Sequence, residues 1–270
     1  MLAPDAALLR SWLRRYLQEH DVSPRTAESY FSAVVRFERW LGFTASLHDL
    51  ADRFNAYLES LAAGNRFTAK AQRGSLLCLL RSGADAGLCE LPKKIRSVRC
   101  PQLHPRAFTT EELAMLRRHA TPRERAAIAL AFDTGLRRSD LFDATWQQVF
   151  GERLIRNARK TGRRIVRRLR PTTLGALKSI RRRDEPHLLG RLTPTIWRRA
   201  WHALGKRAGV DVNRRGLQAI RRTGATLSKR AGFSASEYLG HSPRSAGLAE
   251  QFYIDPLLLD DAPPLPPAIE

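Results

Sequence analysis

The sequence has few cysteines, only two methionines and no long apolar run. Its three cysteines, Cys78, Cys89 and Cys100, are widely spaced, show no metal-ligand spacing, and are odd in number, which argues against a disulfide framework. No apolar stretch approaches the roughly 18 residues that a transmembrane helix needs. The N-terminus also lacks the apolar core and cleavage site of a secretory signal. We therefore expect a cytoplasmic setting without a membrane span or a bound metal.

Acidic residues are scarce relative to basic ones. Lys and Arg number 47 and Asp and Glu 26, which gives a formal net charge of +21. Such an excess attracts polyanions, and the prevalence of Arg suits bidentate contact with phosphate. An ordinary basic surface is the alternative. Membrane surfaces are also anionic, but we find no basic amphipathic helix with a lone apolar face that favours them.

The first 91 residues have the periodicity of a helical domain. Leu9, Trp12, Leu13 and Tyr16 repeat at i, i+3, i+4 and i+7, which places them on one apolar helix face. The pair Ser23-Pro24 has the pattern of an N-cap followed by proline at the first helical position. Four helices are predicted, at about residues 9–17, 24–41, 50–61 and 68–86.

Residues 92–106 are the predicted linker between two domains. They contain three prolines and five Lys or Arg residues, and no acid. The segment is either an ordinary surface loop or a basic linker that lies along a phosphate backbone, and we favour the second interpretation.

The second predicted domain covers residues 107–255 and is mostly helical. It opens with the capping-box pattern Thr109 to Glu112. Alternating residues at 153–157 and 164–169, joined by Lys160-Thr161-Gly162-Arg163, predict a small antiparallel β-hairpin. Residues 256–270 form a proline-rich tail that cannot be a long helix. The helices are predicted at about 110–119, 122–134, from Gly135 to about 145, and from about 172 to about 250.

Several short motifs carry residues suited to phosphate chemistry. In TGLRRSDL, Arg137 follows a glycine turn at a helix start, where a bound anion meets a guanidinium and free backbone N–H groups. In LQAIRRT, Gln218 and Arg221 are three residues apart and share a helix face. The motif LGHS contains His241, and Tyr253 follows it in QFYIDP.

The motifs resemble the catalytic domain of the tyrosine recombinases, the phage integrase family. The resemblance lies in their order, which is Arg in TGLR, Lys in KTGR, Arg in QAIRRT, His in LGHS and then Tyr. SPRTAESYFSAVVRFERWL is similar to the start of that family's core-binding domain, so the resemblance covers nearly the whole chain. It implies a mainly α, integrase-like fold. An N-terminal helical, SAM-like core-binding domain precedes a mostly helical catalytic domain with a small antiparallel sheet.

The resemblance also implies a role for each motif residue. Arg137 and Arg221 hold the non-bridging oxygens of the scissile phosphate, where charge grows in the transition state. Tyr253 attacks and forms a 3′-phosphotyrosyl bond, and Lys160 protonates the departing 5′ oxygen. His241 hydrogen-bonds the phosphate or assists proton movement. No metal, ATP or other cofactor is implied.

Further residues are expected to support or contact the DNA. Asp140 stands where the family has an acid and is expected to brace an arginine. The basic residues near the motifs and in the linker are expected to bind DNA, namely Lys93, Lys94, Arg96, Arg99, Arg138, Arg163 and Arg222.

The sequence departs from the family pattern at three places. Gln218 stands where the family has a histidine, and glutamine cannot act as a general base. The stretch from Gly232 to His241 is shorter than usual, and the stretch from His241 to Tyr253 is longer. Tyr238 is the other tyrosine near the histidine, and we interpret it as a core residue.

We therefore predict a site-specific DNA recombinase with Tyr253 as its nucleophile. The implied partner is double-stranded DNA, on which the chain forms a homo-tetramer. The leucines at 257–259 contact either a neighbouring subunit or their own domain. The alternatives are a non-catalytic DNA-binding relative and a type IB topoisomerase that relaxes supercoils by the same chemistry.

Overall fold

The chain forms two compact units, Met1–Gln102 and Leu103–Glu270. The computed structural model describes residues 8–101, 106–190, 192–240, 247, 252–255 and 258. Helices dominate both units, and one small antiparallel sheet lies in the second, which confirms the predicted mainly α fold class. None of the helices described is both long enough and apolar enough to cross a membrane.

The first unit is built from four helices, each close to a predicted one. Two of them start earlier than predicted, because the residues that cap them were not recognised in the sequence. Ser46 and Asp49 form a reciprocal capping box that starts α3, and the Asn65 side chain accepts from two backbone N–H groups at the start of α4. The helices are α1 (Leu9–Glu19), α2 (Pro24–Leu41), α3 (Leu47–Gly64) and α4 (Arg66–Asp85).

The core of the first unit forms where the periodicity places it. Trp12 and Leu13 of α1, Phe37 of α2 and Phe54 of α3 are buried together. The side chain of Trp40 in α2 is substantially exposed at the edge of this core. Burial of such side chains contributes about 1.5–3 kcal/mol each.

Residues 92–101, most of the predicted linker, lie against the first unit. The Asn55 amide donates to the carbonyl of Lys94 at 2.7 Å and accepts from the N–H of Arg96 at 2.9 Å. Arg96 also forms an ion pair with Glu59 at 3.3 Å. The backbone of the basic segment is therefore fixed on α3. Residues 102–105 of the predicted linker lie outside the described residues.

The second unit has more breaks than the sequence predicted. The helix after Gly135 ends at Phe142 rather than about 145, and Trp146–Gln148 form a 3-10 turn. Within the stretch from 172 to 250, where helices were predicted, residues 180–190 are not helical, and Leu188 N–H donates to Ala144 O at 2.8 Å. The helices are α5 (Thr110–His119), α6 (Pro122–Thr134), α7 (Arg138–Phe142), α8 (Pro171–Ser179), α9 (Pro194–Ala208), α10 (Leu217–Arg230) and α11 (Ala235–Leu239).

The sheet contains the predicted hairpin and one strand that was not predicted. The strands are β1 (Val149–Phe150), β2 (Arg153–Asn157) and β3 (Arg164–Arg168), antiparallel in the order β1-β2-β3. Asn157 pairs with Arg164 at the closed end of the hairpin, and Leu154 and Ile165 are buried on its inner face. The two residues of β1 are too few to show an alternating pattern.

Candidate active site

A cleft of about 610 Å³ opens in the second unit between the start of α7, helix α9 and the first turn of α10. The described residues that line it include five arginines, one histidine and no carboxylate. Its polar lining consists of Arg137, Arg138, Ser139, Arg198, His202, Arg214, Arg215, Gln218 and Tyr253. Three of the residues singled out as catalytic, Arg137, Gln218 and Tyr253, therefore share one cleft.

Most of the positive charge in this cleft is not neutralised by any of the described residues. Arg215 is bound to the Glu112 carboxylate. The side chains of Arg137, Arg138, Arg198 and Arg214, by contrast, form no ion pair within the part of the chain described here. Unneutralised guanidinium groups in a concave site attract and orient an anion such as phosphate.

Arg137 is held at the cleft by a tight turn. Helix α6 ends at Gly135, whose φ of 56° is in the left-handed region, and Arg137 is the N-cap residue of α7. A side chain at position 135 would also collide with the ring of Tyr238. The glycine therefore permits both the turn and the close packing that direct Arg137 into the cleft.

Arg221 lies beneath the cleft rather than in it. Its side chain is only 2% exposed, and it donates through Nη1 to Gly135 O and through Nη2 to Leu239 O, the latter at 2.8 Å. Burial lowers the pKa of Arg221 to about 10, the nearby Tyr253 phenol opposes this shift, and the positive charge of Arg137 adds to it. Arg221 thus joins the turn before Arg137 to the segment before His241. The predicted contact of Arg221 with the scissile phosphate stays a prediction.

The ring of Tyr253 covers this buried arginine. The Arg221 guanidinium carbon lies 5.2 Å from the centre of the Tyr253 ring. Arg222 Nε donates to the carbonyl of Phe252 at 2.9 Å, and Asp255 N–H donates to the Thr226 hydroxyl at 3.0 Å. These contacts with α10 place the Tyr253 segment at the cleft. Arg222, predicted to bind DNA, is half-buried in this contact.

Lys160 and Arg163 are exposed in the turn of the hairpin and do not line the cleft. The turn is closed by Gly162, whose φ is 64°, and by a bond from Ala158 N–H to Arg163 O at 2.8 Å. The residue before Lys160 is tied to α7, because Arg159 N–H donates to Asp140 Oδ1 at 2.9 Å. The backbone of Lys160 is therefore one residue from a contact with the helix that begins after Arg137.

Asp140 is buried and contacts an arginine that was not singled out. Its Oδ1 lies 3.4 Å from Nη2 of Arg156 in β2, and its main-chain carbonyl accepts from Nη1 of the same residue. Asp140 was expected to brace an arginine. The structure identifies that arginine as Arg156.

The remaining predicted residues fall at four kinds of position. His241 lies outside the described residues, although Leu239 and Gly240 before it are described. Tyr238 donates its hydroxyl to Phe132 O at 2.7 Å, and burial raises its pKa. Arg138 is exposed at the cleft. The linker residues Lys93, Lys94, Arg96 and Arg99 belong to the first unit.

A second cleft in the same unit, of about 580 Å³, has a different character. Its two arginines are matched by acids that also line it, with Arg170 paired to Asp133 at 2.6 Å and Arg168 to Glu152 at 3.7 Å. This balance gives it no comparable attraction for an anion, so we assign the candidate active site to the first cleft.

Comparison with solved structures shows which fold the chain has. A lambda integrase dimer bound to a COC′ core site matches with a TM-score of 0.74 and 21% sequence identity, over 97% of this chain and 99% of that chain. A lambda integrase tetramer bound to a Holliday junction matches with a TM-score of 0.73 and 23% identity, over 97% of this chain and 80% of that chain. The protein has an integrase fold. The Tn1549 transposon integrase, in complex with circular intermediate DNA, matches with a TM-score of 0.66 and 14% identity, over 92% and 95% of the two chains. No family model and no curated protein matches the sequence.

In this integrase fold the cleft contains residues that sequence reasoning missed. Arg198 and His202 are exposed on α9, each directly after a buried tryptophan, Trp197 or Trp201. Residues four positions apart share a helix face, so this spacing could have indicated a basic helix face. Arg214 adopts a left-handed conformation with φ of 56°, which is uncommon outside glycine. Nothing in the sequence around Arg214 indicated that conformation.

Proposed function

We propose that this protein is a site-specific DNA recombinase that breaks and rejoins DNA through a covalent bond between Tyr253 and a 3′ phosphate. The observation that carries the proposal is the cleft itself. It combines Tyr253 with several arginines and has no carboxylate among its described lining residues. A phosphodiester is the anion that such a cleft and an attacking phenol can process together.

The arginines of the cleft hold the phosphate. Arg137 is directed into the cleft and makes no hydrogen bond or ion pair within the described residues, so its donors remain for the non-bridging oxygens. Gln218 is exposed at the first turn of α10 and donates an amide hydrogen bond to the same group. Charge that grows on these oxygens in the transition state strengthens both contacts.

Arg221 acts mainly through Tyr253. Its guanidinium lies under the phenol ring and is screened little by solvent because it is buried. A fixed cation there stabilises the negative charge that develops on the phenol oxygen during attack. This role differs from the direct phosphate contact that the family resemblance implied.

The cleavage step transfers one phosphoryl group. The Tyr253 oxygen gives its proton to His241 or to water and bonds to phosphorus, the bond from phosphorus to the 5′ oxygen breaks, and Lys160 protonates that oxygen. The reverse step, with a 5′ hydroxyl as attacker, releases Tyr253 and rejoins the strand. His241 contacts the phosphate or the moving proton. The phosphotyrosyl ester retains the energy of the broken bond, so rejoining needs no nucleotide.

The proposed partner is double-stranded DNA, bound by several copies of the chain. One of the similar solved structures is an integrase dimer on a core site and another is an integrase tetramer on a Holliday junction. We propose the same kind of assembly here, with two DNA sites brought together by four subunits.

The test is formation of a covalent adduct on selected DNA. Duplexes are enriched from a random-sequence pool by repeated binding to the full chain, and the enriched sequences are made as nicked duplexes that trap the cleaved state. Labelled DNA is incubated with protein and run on a denaturing gel. We expect an adduct with the native chain and none with Tyr253→Phe. Tyr238→Phe, which removes the other nearby phenol, keeps the adduct.

Each other result has a clear meaning. An adduct that persists in Tyr253→Phe and disappears in Tyr238→Phe moves the nucleophile to Tyr238. A failure of the pool to enrich any sequence contradicts site-specific binding.

A second candidate function is sequence-specific DNA binding without cleavage. Gln218 favours it, because an amide replaces the family's histidine in the cleft, and so does the bonding of both terminal nitrogens of Arg221 to main-chain carbonyls. Enriched sequences that bind tightly but give no adduct in any nicked form support this candidate instead.

A further inference from the structure

A buried cation lies on a strand that carries no proposed catalytic residue. Arg156 of β2 is only 8% exposed, and its guanidinium faces α7 rather than solvent. Arg153, on the same strand, is exposed at the other end and forms no ion pair in the described structure. The burial of Arg156 therefore needs a specific explanation.

Arg156 makes two contacts with one residue of α7. Its Nη1 donates to the main-chain carbonyl of Asp140, and its Nη2 lies 3.4 Å from Asp140 Oδ1. The same carboxylate oxygen accepts from the N–H of Arg159 at 2.9 Å. An outer ion pair, from Arg159 to Asp143 at 3.1 Å, reinforces the junction. The closed end of the hairpin is thus attached to α7 at several points.

This junction connects the residues that the proposed reaction uses on either side of the phosphate. Asp140 is one helical turn after Arg137, and Arg159 directly precedes Lys160. Lys160 itself is exposed, with a long flexible side chain on a turn. Its amine reaches a defined point only if the backbone of the turn is fixed relative to Arg137.

A buried ion pair is a poor source of net stability. The cost of removing two charges from water commonly cancels their attraction, and apolar replacements are often equally stable. A pair at this position is therefore better explained by the geometry that it imposes on the hairpin than by the stability that it adds.

We infer that Arg156 is a positioning residue, which holds the hairpin turn against α7 so that Lys160 meets the leaving 5′ oxygen of a phosphate bound at Arg137. The inference rests on the proposed recombinase function and concerns the proton transfer alone. Loss of Arg156 slows departure of the 5′ oxygen and leaves attack by Tyr253 intact.

The test compares two leaving groups in the nicked duplex described above. One substrate has the natural 5′ bridging oxygen and the other has sulfur at that position. In the first, the bond from phosphorus to oxygen breaks and the oxygen takes a proton from Lys160. In the second, the sulfur leaves as a stable thiolate and takes no proton, so the general acid is not needed.

The expected pattern is specific to proton transfer. Arg156→Met slows adduct formation on the oxygen substrate about 10- to 100-fold, which is part of the roughly 10²–10⁴-fold that a general acid supplies. The sulfur substrate restores the rate to within about threefold of the native chain, as it does for Lys160→Ala. Arg153→Met loses the same charge from the same strand and reacts like the native chain on both substrates.

A structural role alone gives a different pattern. If Arg156→Met is equally slow on the oxygen and sulfur substrates while its thermal unfolding matches the native chain, the inference is wrong. If that variant does not fold, Arg156→Lys replaces it, because an ammonium cannot span both acceptors of Asp140. A native rate for Arg156→Lys on the oxygen substrate also overturns the inference. A native chain that forms no adduct with either substrate overturns the proposed function itself.

Discussion

Gln218 is the residue at which this chain departs most clearly from the tyrosine recombinase pattern. Its side chain is exposed in the cleft beside Arg137 and Tyr253, so it is placed to contact a bound phosphate. An amide donates a hydrogen bond but neither gives nor takes a proton at neutral pH. The proposed reaction therefore depends on Lys160 and His241 for its proton transfers.

Restoring an imidazole at this position is expected to accelerate cleavage. Gln218→His adds a group that exchanges protons near neutral pH, and we expect adduct formation to rise about tenfold, a small part of what a tuned acid–base group supplies. The rate is measured with the nicked duplex on a denaturing gel. Gln218→Glu is the opposing control, because a carboxylate repels phosphate and lowers the rate. Equal rates for both variants mean that position 218 does not contact the phosphate.

The sequence predicted which residues belong to the candidate site better than it predicted the hydrogen bonds that they make. The order of motifs pointed to Arg137, Gln218 and Tyr253, which share the cleft. That Arg221 bonds to the carbonyls of Gly135 and Leu239 could not be predicted, because these acceptors belong to distant loops and carry no side-chain signature. The partner of Asp140 could not be predicted either, because Arg156 lies in a strand whose packing against α7 is set by the tertiary fold.

At the scale of elements, three side chains join the end of α6 to the end of α11. Arg221 bonds to both ends, and the Tyr238 hydroxyl bonds to Phe132 O. Arg167 of β3 donates from Nε to Thr134 O at 3.0 Å and from Nη2 to Glu237 O at 2.9 Å. This junction fixes the segments that lead to Arg137 and to His241.

Helix α10 packs so closely against Tyr238 that one added methyl group is expected to destabilise the fold. A Cβ at Gly224 would overlap the Tyr238 hydroxyl, so Gly224→Ala is expected to lower the free energy of unfolding by about 1–3 kcal/mol. Gly175 of α8 is exposed and has no atom within 4 Å of an added Cβ. Gly175→Ala therefore raises the free energy of unfolding by about 0.5–1 kcal/mol. Urea denaturation measures both, and equal effects of the two substitutions contradict the packing argument.

Elements with a strong local signal were predicted well, and those fixed by distant contacts were not. Helix α5 has a capping box within its own sequence, and the hairpin has alternating strands around a glycine turn. Helix α7 stops at Phe142 and β1 forms next to β2 for reasons outside their own residues. The non-helical segment 180–190 depends on pairing with Ala144 and Thr145.

For the whole molecule, the charge predicts how DNA binding responds to salt. The net charge of +21 and the unneutralised arginines of the cleft imply many phosphate contacts. Each contact releases a counterion, so the logarithm of the association constant falls with the logarithm of salt concentration, with a slope of about −0.9 per contact. Affinity for random-sequence duplex DNA is therefore expected to fall by about 10³-fold or more between roughly 50 and 200 mM salt.

Fluorescence anisotropy with labelled duplexes measures that slope. Arg138→Gln, in the cleft, is expected to reduce its magnitude by about one. Arg168→Gln is the matched control, because Arg168 lies in the second cleft beside Glu152 and leaves the slope unchanged. A native slope near zero means that the basic surface does not bind the DNA backbone.

The junction around Arg167, Arg221 and Tyr238 has a consequence for how this protein can diversify. Each of these side chains donates to main-chain oxygens, and every amino acid supplies the same oxygen at a given place along the chain. Such bonds do not themselves require a particular neighbour. The identities of exposed residues such as Glu237 are thus free to drift over generations while the frame that aligns the reacting groups is inherited intact.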